Sequence, residues 1–317
     1  MASFIGPALV LAFCVSQAFR DVYFGHAFQK VDFFLVIVIA FVLSTALFTA
    51  VAVVRTPGAF GKLRGHGRTV LAVNLTTALA WSSYFFGLTH IEPSVVNTLH
   101  SGMGPLTVVA LAAFGVPLAQ TGAVRRAEYL GYSGMALSLI GLWWVVLADA
   151  SGVAGVSHTT NLAGLALLLV SGASITVSLL YCKRLHDAGI NAEVVSAVRY
   201  LALIALAGAI VAGRGRMPDI AVGQLGTLAF LTTVLIVLPL YALQLGIART
   251  APLTTNVLRA LGPVFIFALE QFDGRMTYSA PALVCILFYS ASAIVCNVTH
   301  GWREPRAPEL RPLPSAR

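Results

Sequence analysis

The sequence predicts an all-α integral membrane protein in which ten transmembrane helices form two inverted repeats of five. Three observations support this fold class. Apolar residues make up 58% of the 317-residue chain and charged residues 10%, whereas a soluble domain carries about 25% charged residues. The apolar residues are grouped in long runs that short polar connections separate. A motif in the fourth run returns in the ninth.

Each run is long enough for a membrane-spanning helix, which needs about 20 apolar residues. Lipid offers no hydrogen-bond partners to backbone groups, so runs of this length must be helical, and the lack of period-two alternation argues against a barrel. We place the spans at residues 3–19, 32–54, 69–89, 93–116, 127–148, 161–182, 192–212, 220–247, 252–271 and 279–299.

The repeated motif reads Pro-x-x-x-Asn-x-Leu followed by a basic residue. It runs from Pro93 to His100 in the fourth span and from Pro252 to Arg259 in the ninth, and a Gly-Pro pair follows each copy. The second copy starts 159 positions after the first, about half of the chain length. We interpret this spacing as an internal duplication.

Five spans per half is an odd number, so the two halves insert into the membrane in opposite senses. We expect one five-helix repeat over residues 1–150 and a second over 151–300. The Pro- and Arg-rich residues 301–317 are expected to form a disordered cytoplasmic tail. Inverted repeats are typical of alternating-access transporters, whose site lies between the repeats near the bilayer midplane.

The Lys and Arg residues predict the orientation. The connections on the side of the N-terminus, together with the tail, carry 13 of the 20 Lys and Arg residues. The opposite connections carry five, with Arg20 counted among them, and Arg199 and Arg259 lie inside spans. Positive charge stays inside, so we expect both termini in the cytoplasm. We expect a bacterial plasma (inner) membrane, with a eukaryotic organelle membrane as the alternative.

Basic residues inside spans are the first candidates for a substrate-binding site. A charge as deep as Arg259 costs roughly 2.5–3.5 kcal/mol and marks a functional position. We expect Arg259 to bind an anionic group, with a structural pairing as the alternative. His100, its counterpart in the other half, either joins it or serves as a structural hydrogen-bonding residue. Arg199 either joins the site or extends its charge to the interface.

Four neutral residues complete the candidate site. Asn97 and Asn256 each precede a basic residue by three positions and share its helix face. They contact either the substrate or a neighbouring helix. Tyr84 and Tyr241 lie on the spans before the two motifs, where they line a cavity or take part in packing.

The groups that the spans lack also limit the function. We place Glu92, Glu128, Glu193, Asp219, Glu270 and Asp273 near span ends or in loops, and we identify no carboxylate deep in a span. The site should then favour anions or zwitterions over organic cations. The chain has no phosphate-cradling loop with Lys, no His-Glu-x-x-His and no Gly-x-Ser-x-Gly. We therefore expect no enzyme activity, no metal and no cofactor.

Over residues 3–300 the chain resembles the drug/metabolite transporter superfamily, which has ten helices in two five-helix repeats. Ala251-Pro-Leu-Thr and Asn256-Val-Leu-Arg259 are similar to the ninth span of the triose-phosphate and nucleotide-sugar transporter branch. There a basic residue contacts the substrate's phosphate, and the resemblance implies that role for Arg259. His100 falls where the fourth span of that branch often carries a basic residue.

Two further segments bear on the resemblance. The segment from Glu270 to Thr277 is similar to the Gly-Glu-Arg-like turn of the bacterial branch. The phosphate-binding branch usually has two adjacent basic residues, whereas Ala260 follows Arg259 in this chain.

The function expected from these features is secondary transport of a small polar metabolite, anionic or zwitterionic, by alternating access. The expected partners are that small molecule and membrane lipid, with no nucleic acid. The small residues of Tyr289–Ala293 permit close helix packing within the monomer or in a homodimer. The alternative function is that of a membrane sensor or scaffold with the same fold that transports nothing.

Overall fold

The computed structural model describes residues 2–116, 126–153, 156–214, 222–247, 249–250, 252–274 and 276–301. Over these residues the chain is helical apart from turns and short loops, and it forms no β-strand. The all-α prediction is therefore confirmed for this part of the chain. Arg275 and the predicted tail after Gly301 lie outside the described residues.

The described chain forms thirteen α-helices. They are α1 (Ala2–Ala27), α2 (Phe33–Arg55), α3 (Gly67–His90), α4 (Pro93–Ala113), α5 (Arg126–Leu147), α6 (His158–Asp187), α7 (Ala192–Val198), α8 (Leu201–Gly213), α9 (Val222–Thr232), α10 (Leu238–Ile247), α11 (Pro252–Ala260), α12 (Gly262–Glu270) and α13 (Ala280–Gly301). A 3-10 turn at Ala59–Leu63 follows α2, and a π-helical turn at Thr233–Val237 joins α9 to α10.

Nine helical stretches within the described residues are long and apolar enough to cross a membrane. Two of these stretches contain more than one helix, α7 with α8 and α9 with α10. The remaining predicted span, residues 252–271, consists of two nine-residue helices, α11 and α12, that meet at Leu261. The structure thus confirms helices that are long and apolar enough to cross a membrane. The tenth span stays a prediction.

The break between α11 and α12 follows from the Gly262-Pro263 pair. Proline has no N–H group, and its ring crowds the carbonyl of the residue four positions earlier, here Arg259. Proline is accepted in the first turn of a helix, and α12 begins with this pair. Pro105 of the first motif copy lies inside the continuous helix α4, so the two copies differ in backbone structure.

The break between α7 and α8 depends on a neighbouring helix. The side chain of Asn74 on α3 takes the place of the helical hydrogen bond between Ala202 and Val198. Its Nδ2 donates to the Val198 carbonyl at 2.8 Å, and its Oδ1 accepts from the Ala202 N–H at 3.0 Å. Because lipid cannot satisfy backbone groups, this amide stabilises an interruption at Arg199 and Tyr200.

The helices pack through close contacts and a core of large apolar side chains. Helix α3 lies along α6, α5 along α13, and α1 contacts α10, α11 and α12. Phe24, Phe85, Leu99, Leu168 and Leu203 are among the large side chains that are fully buried. Many other apolar side chains are exposed, as expected for helices surrounded by lipid.

The structure corrects the predicted end of the first span. Helix α1 does not stop near residue 19 but continues to Ala27. Arg20 therefore belongs to a helix rather than to an outer connection, and so does Asp21, which is fully buried. The inference that no carboxylate lies deep in a span was wrong.

Candidate functional site

A cavity of about 430 Å³ lies between the helices. Side chains from α1, α2, α3, α4, α6, α10, α11 and α13, and from the α7–α8 junction, form its wall. Pockets that hold small molecules have volumes of about 300–1,000 Å³. The cavity is therefore large enough for a small metabolite.

The cavity lies toward one end of the helices. On α6 its lining residues lie in the C-terminal half, at 175–179, and on α13 they run from the middle of the helix toward its C-terminal end, at 289–297. On α4 the lining extends from Asn97 to Val108, toward the C-terminal end of that helix. Helices α4 and α6 run parallel, because Gly164 lies against Ile91 and Gly172 against His100. The cavity thus extends from mid-helix toward the end that the charge distribution predicts to be cytoplasmic.

The structure brings together most of the predicted site residues. Those that line the cavity are Tyr84, Asn97, His100, Arg199, Asn256 and Arg259. Tyr241 is not among the lining residues, although Leu240 and Leu243 of the same helix are. The Tyr241 hydroxyl accepts a hydrogen bond from Arg55 at 3.3 Å instead. Successive residues differ by about 100° around a helix, so we exclude Tyr241 from the candidate site.

Arg259 presents a free guanidinium to the cavity. Its side chain is exposed and lines the wall at the end of α11, two residues before the helix break at Leu261. Within the described residues it makes no ion pair and no side-chain hydrogen bond. A guanidinium with five N–H donors in this position can bind an anionic group in the cavity.

Arg199 lies at the other helix interruption that borders the cavity. The residue is 9% exposed, and its guanidinium stacks over the Tyr200 ring at 5.2 Å. Its Nε has no hydrogen-bond partner among the described residues. The guanidinium carries five N–H donors, so it can bind an anionic group in the cavity. The alternative in which Arg199 extends to the interface does not fit this burial.

The hydrogen bonds of His100 determine which ring nitrogen carries a proton. The Ser171 hydroxyl donates to the Ala80 carbonyl at 2.6 Å, and this bond uses its one proton. His100 Nδ1 lies 2.9 Å from the same oxygen, so Nδ1 must donate and carry a hydrogen. The neutral imidazole then has Nε2 as its acceptor, and the Tyr84 ring packs edge-on at 4.7 Å.

Behind this wall lies an ion pair that the sequence interpretation missed. Arg20 Nε donates to Asp21 Oδ1 at 2.7 Å, and the two residues are 4% and 0% exposed. The Tyr84 hydroxyl donates to Asp21 Oδ2 at 2.7 Å, and Asn97 Nδ2 donates to the same oxygen at 3.3 Å. The Arg20 guanidinium also lies over Trp81, 5.5 Å from the ring centroid. Asn97 thus both lines the cavity and binds its neighbours.

A signal for this ion pair was present in the sequence. Val22, Tyr23 and Phe24 continue the apolar run beyond Arg20 and Asp21, which favours a longer helix with both charges inside. The pairing itself could not be read, because adjacent residues of a helix point in different directions. The Asp21 carboxylate is held by Tyr84 and Asn97, which lie on neighbouring helices, and their positions depend on the tertiary structure.

The charges of the cavity do not balance. Its lining, as far as the chain is described, contains Arg20, Arg199 and Arg259 but no Asp or Glu. Asp21 compensates Arg20, whereas Arg199 and Arg259 have no carboxylate partner among the described residues. A cleft lined by one sign of charge concentrates ions of the opposite sign. No group of three His, Cys, Asp or Glu side chains in this part of the chain could hold a metal ion.

Comparison with known proteins shows a similar fold but gives no family and no function. No protein family matches the sequence, and no curated protein matches it. A solved structure described as "Crystal structure of protein" superposes with a TM-score of 0.58 and 20% sequence identity. The alignment covers 94% of this chain and 98% of that chain. The chain is an integral membrane protein that is helical throughout its described elements, and its fold resembles one already observed over nearly its whole length.

Proposed function

We propose that the chain is a secondary transporter that moves a small anionic metabolite across a membrane by alternating access. In this proposal ten spans form two inverted repeats, residues 1–150 and 151–300, and the substrate binds between them. Arg259 and Arg199 bind the anionic part of the substrate. His100 Nε2 accepts a hydrogen bond from a donor group of the substrate, and Asn97, Asn256 and Tyr84 contact its polar groups.

The observation that carries the proposal is the pair of uncompensated guanidiniums in a cavity between membrane helices. Charges inside a membrane are costly and mark substrate pathways. Both arginines also lie at helix interruptions, which is where transporter folds place substrate sites. Asp21 does not favour a cationic substrate, because Arg20 already neutralises it at 2.7 Å.

The shape of the cavity supports alternating access. Its lining extends toward the end of the molecule that carries the C-termini of α4, α6 and α13, and hydrogen bonds join the α4 start to the α12 end on the opposite side. A site that faces one side while the other is closed is one of the two states that alternating access requires. We propose a bacterial plasma membrane, with the open end facing the cytoplasm.

The test compares two arginine variants in purified, reconstituted protein. Arg259→Gln removes the cavity charge while keeping a polar side chain, and Arg64→Gln makes the same change at an exposed position outside the cavity. A thermal-shift screen of phosphorylated, carboxylated and amino compounds identifies a ligand, and counterflow in liposomes measures its transport. We expect Arg259→Gln to lose more than tenfold of the counterflow rate and Arg64→Gln to keep it.

The same experiment separates transport from the alternative function. A ligand that stabilises the wild-type protein but shows no counterflow would indicate a sensor. Full counterflow by Arg259→Gln would remove that residue from the site, and the argument from uncompensated charge would fail with it.

A further inference from the structure

At the end of the helices away from the cavity, two buried carboxyl groups meet at one serine. Glu92 precedes α4 and is 2% exposed, and Glu270 ends α12 and is 0% exposed. The Ser94 Oγ lies 2.6 Å from Glu270 Oε1 and 3.0 Å from Glu92 Oε1. The remaining oxygens accept backbone N–H groups, Glu270 Oε2 from Ser94 at 3.1 Å and Glu92 Oε2 from Gly152 at 2.6 Å.

A count of hydrogens shows that this arrangement needs one more proton. The two carboxyl groups make four hydrogen-bond contacts with Ser94 and Gly152, and the two backbone N–H groups supply two of the required hydrogens. The Ser94 hydroxyl has one hydrogen but contacts two carboxyl oxygens. It can donate to one of them and accept from the other. The fourth contact is therefore complete only when one carboxyl group is protonated.

The charges nearby lead to the same conclusion. Within the described residues, no Lys, Arg or His lies within 4 Å of either carboxylate. Two buried carboxylates that share a site cannot both be ionised at low cost. The other titratable groups of the surrounding elements make no hydrogen bond or ion pair with the two glutamates, and Asp273 pairs with His26 at 3.6 Å. The titratable groups meant are those of His26, His90, Asp149, Asp273 and Tyr278.

The pair also connects parts of the chain that must separate if this end opens. Glu92 and Ser94 belong to the turn before α4 and its first residues, whereas Glu270 ends α12. The loop that holds Gly152 also binds the segment before α13, because Thr277 N donates to the Gly152 carbonyl at 3.0 Å and Ser279 Oγ donates to the Ala150 carbonyl at 2.6 Å. Opening this end would break the Glu270–Ser94 contacts and expose both carboxyl groups to water.

We propose that Glu92 and Glu270 form a proton-binding site that holds one proton while this end is closed and releases it when the end opens. In the closed state one carboxyl O–H donates to Ser94 Oγ. On opening, that O–H bond breaks, its electron pair stays on the carboxylate and the proton passes to water on that side. The site follows from the closed-end geometry, whereas its use as the coupling step of transport rests on the proposed function.

The sign of the pH dependence follows from the proton count. The closed state binds one proton more than the open state, so low pH stabilises the closed state and rising pH favours opening. A difference of one proton changes the ratio of open to closed molecules by at most about tenfold per pH unit. Below the pH at which the open-state carboxyls take up protons, the ratio becomes constant.

Amide hydrogen exchange tests the proposal without a transported ligand. The N–H groups of Ser94 and Gly152 donate to the two carboxyl groups, so their protection reports closure of this end. Protection factors, corrected for the intrinsic exchange rate at each pH, are measured between about pH 5 and pH 9, the range in which buried glutamates titrate. We expect the wild-type protection of both amides to fall as pH rises, by up to about tenfold per pH unit.

Two isosteric variants and one control complete the experiment. Glu270→Gln provides an N–H in place of the shared proton, so protection should no longer depend on pH, and Glu92→Gln should act in the same way if the first variant does not fold. Asp187→Asn changes an exposed carboxylate at the opposite end and should keep the wild-type pH dependence. The infrared C=O band of a protonated carboxyl group should be present in the wild-type protein and reduced in both Gln variants.

Wild-type protection that is constant over this pH range would overturn the proposal, and so would an unchanged pH slope in both Gln variants. Because exchange needs no substrate, a negative result here is distinct from failure of the Arg259→Gln transport test.

Discussion

The ion pair between Arg20 and Asp21 is the structural feature whose removal has the most direct expected cost. Asp21 accepts hydrogen bonds from Arg20, Tyr84 and Asn97, at 2.7, 2.7 and 3.3 Å. Asp21→Asn keeps the shape of the side chain and removes its charge. The Arg20 guanidinium, 4% exposed, is then left buried without a counter-charge.

The magnitude follows from the burial of the pair. Removing one partner of a buried ion pair costs about 3–5 kcal/mol, because the other charge is left uncompensated. Arg20 lines the cavity and stacks over Trp81 and Tyr84, and both features offset part of this cost. We therefore expect Asp21→Asn to lower the free energy of unfolding by about 3 kcal/mol.

A double variant separates the pair from its surroundings. Replacing a buried ion pair with uncharged residues of similar volume is often neutral, so Arg20→Met with Asp21→Asn should recover most of the loss. The control is Asp149→Asn, which makes the same chemical change at an exposed residue whose positive φ of 52° asparagine also accepts.

The assay is reversible unfolding of the purified protein in mixed detergent micelles, followed by helical circular dichroism. The reasoning is refuted if Asp21→Asn and Asp149→Asn cost the same, or if the double variant is less stable than Asp21→Asn alone.

Two further predictions concern packing inside the membrane and use the same unfolding assay. Asn74→Ala leaves the Val198 carbonyl and the Ala202 N–H without their side-chain partner. Each unsatisfied buried group costs about 1–3 kcal/mol of stability. A loss of unfolding free energy below about 1 kcal/mol would show that the α7–α8 interruption does not need this amide. Gly172→Ala should cost about 1–3 kcal/mol, because its methyl group would clash with the backbone oxygen of His100 on α4. Gly208→Ala, with no atom within 4 Å of the added carbon, should be neutral or slightly stabilising. Equal effects of the two glycine substitutions would contradict the close packing of α4 on α6.

Part of the cavity lining was predictable, because charges inside membrane spans are rare. Arg259 and His100 were identified from their depth and from the repeated motif, and both line the cavity. For Tyr241 the choice between cavity lining and packing stayed open, because the sequence shows which helix carries a residue but not how that helix is rotated against its neighbours. A rotation of one residue, about 100°, is enough to turn a side chain out of the cavity.

The sequence by itself determined that the chain is built from membrane helices, since apolar runs of this length leave the backbone no other structure in lipid. It also determined that basic rather than acidic residues occupy the motif positions of the fourth and ninth runs. The tertiary structure decided which charges remain free. Arg20 is neutralised because Asp21 is held by Tyr84 and Asn97, which lie 63 and 76 positions away in the chain, and Glu270 reaches Ser94 across 176 positions. Helical periodicity reports the environment of each helix separately, whereas these pairings depend on how separate helices pack. The packing therefore sets the charge of the cavity. It also sets the Glu270–Ser94 contacts at the opposite end.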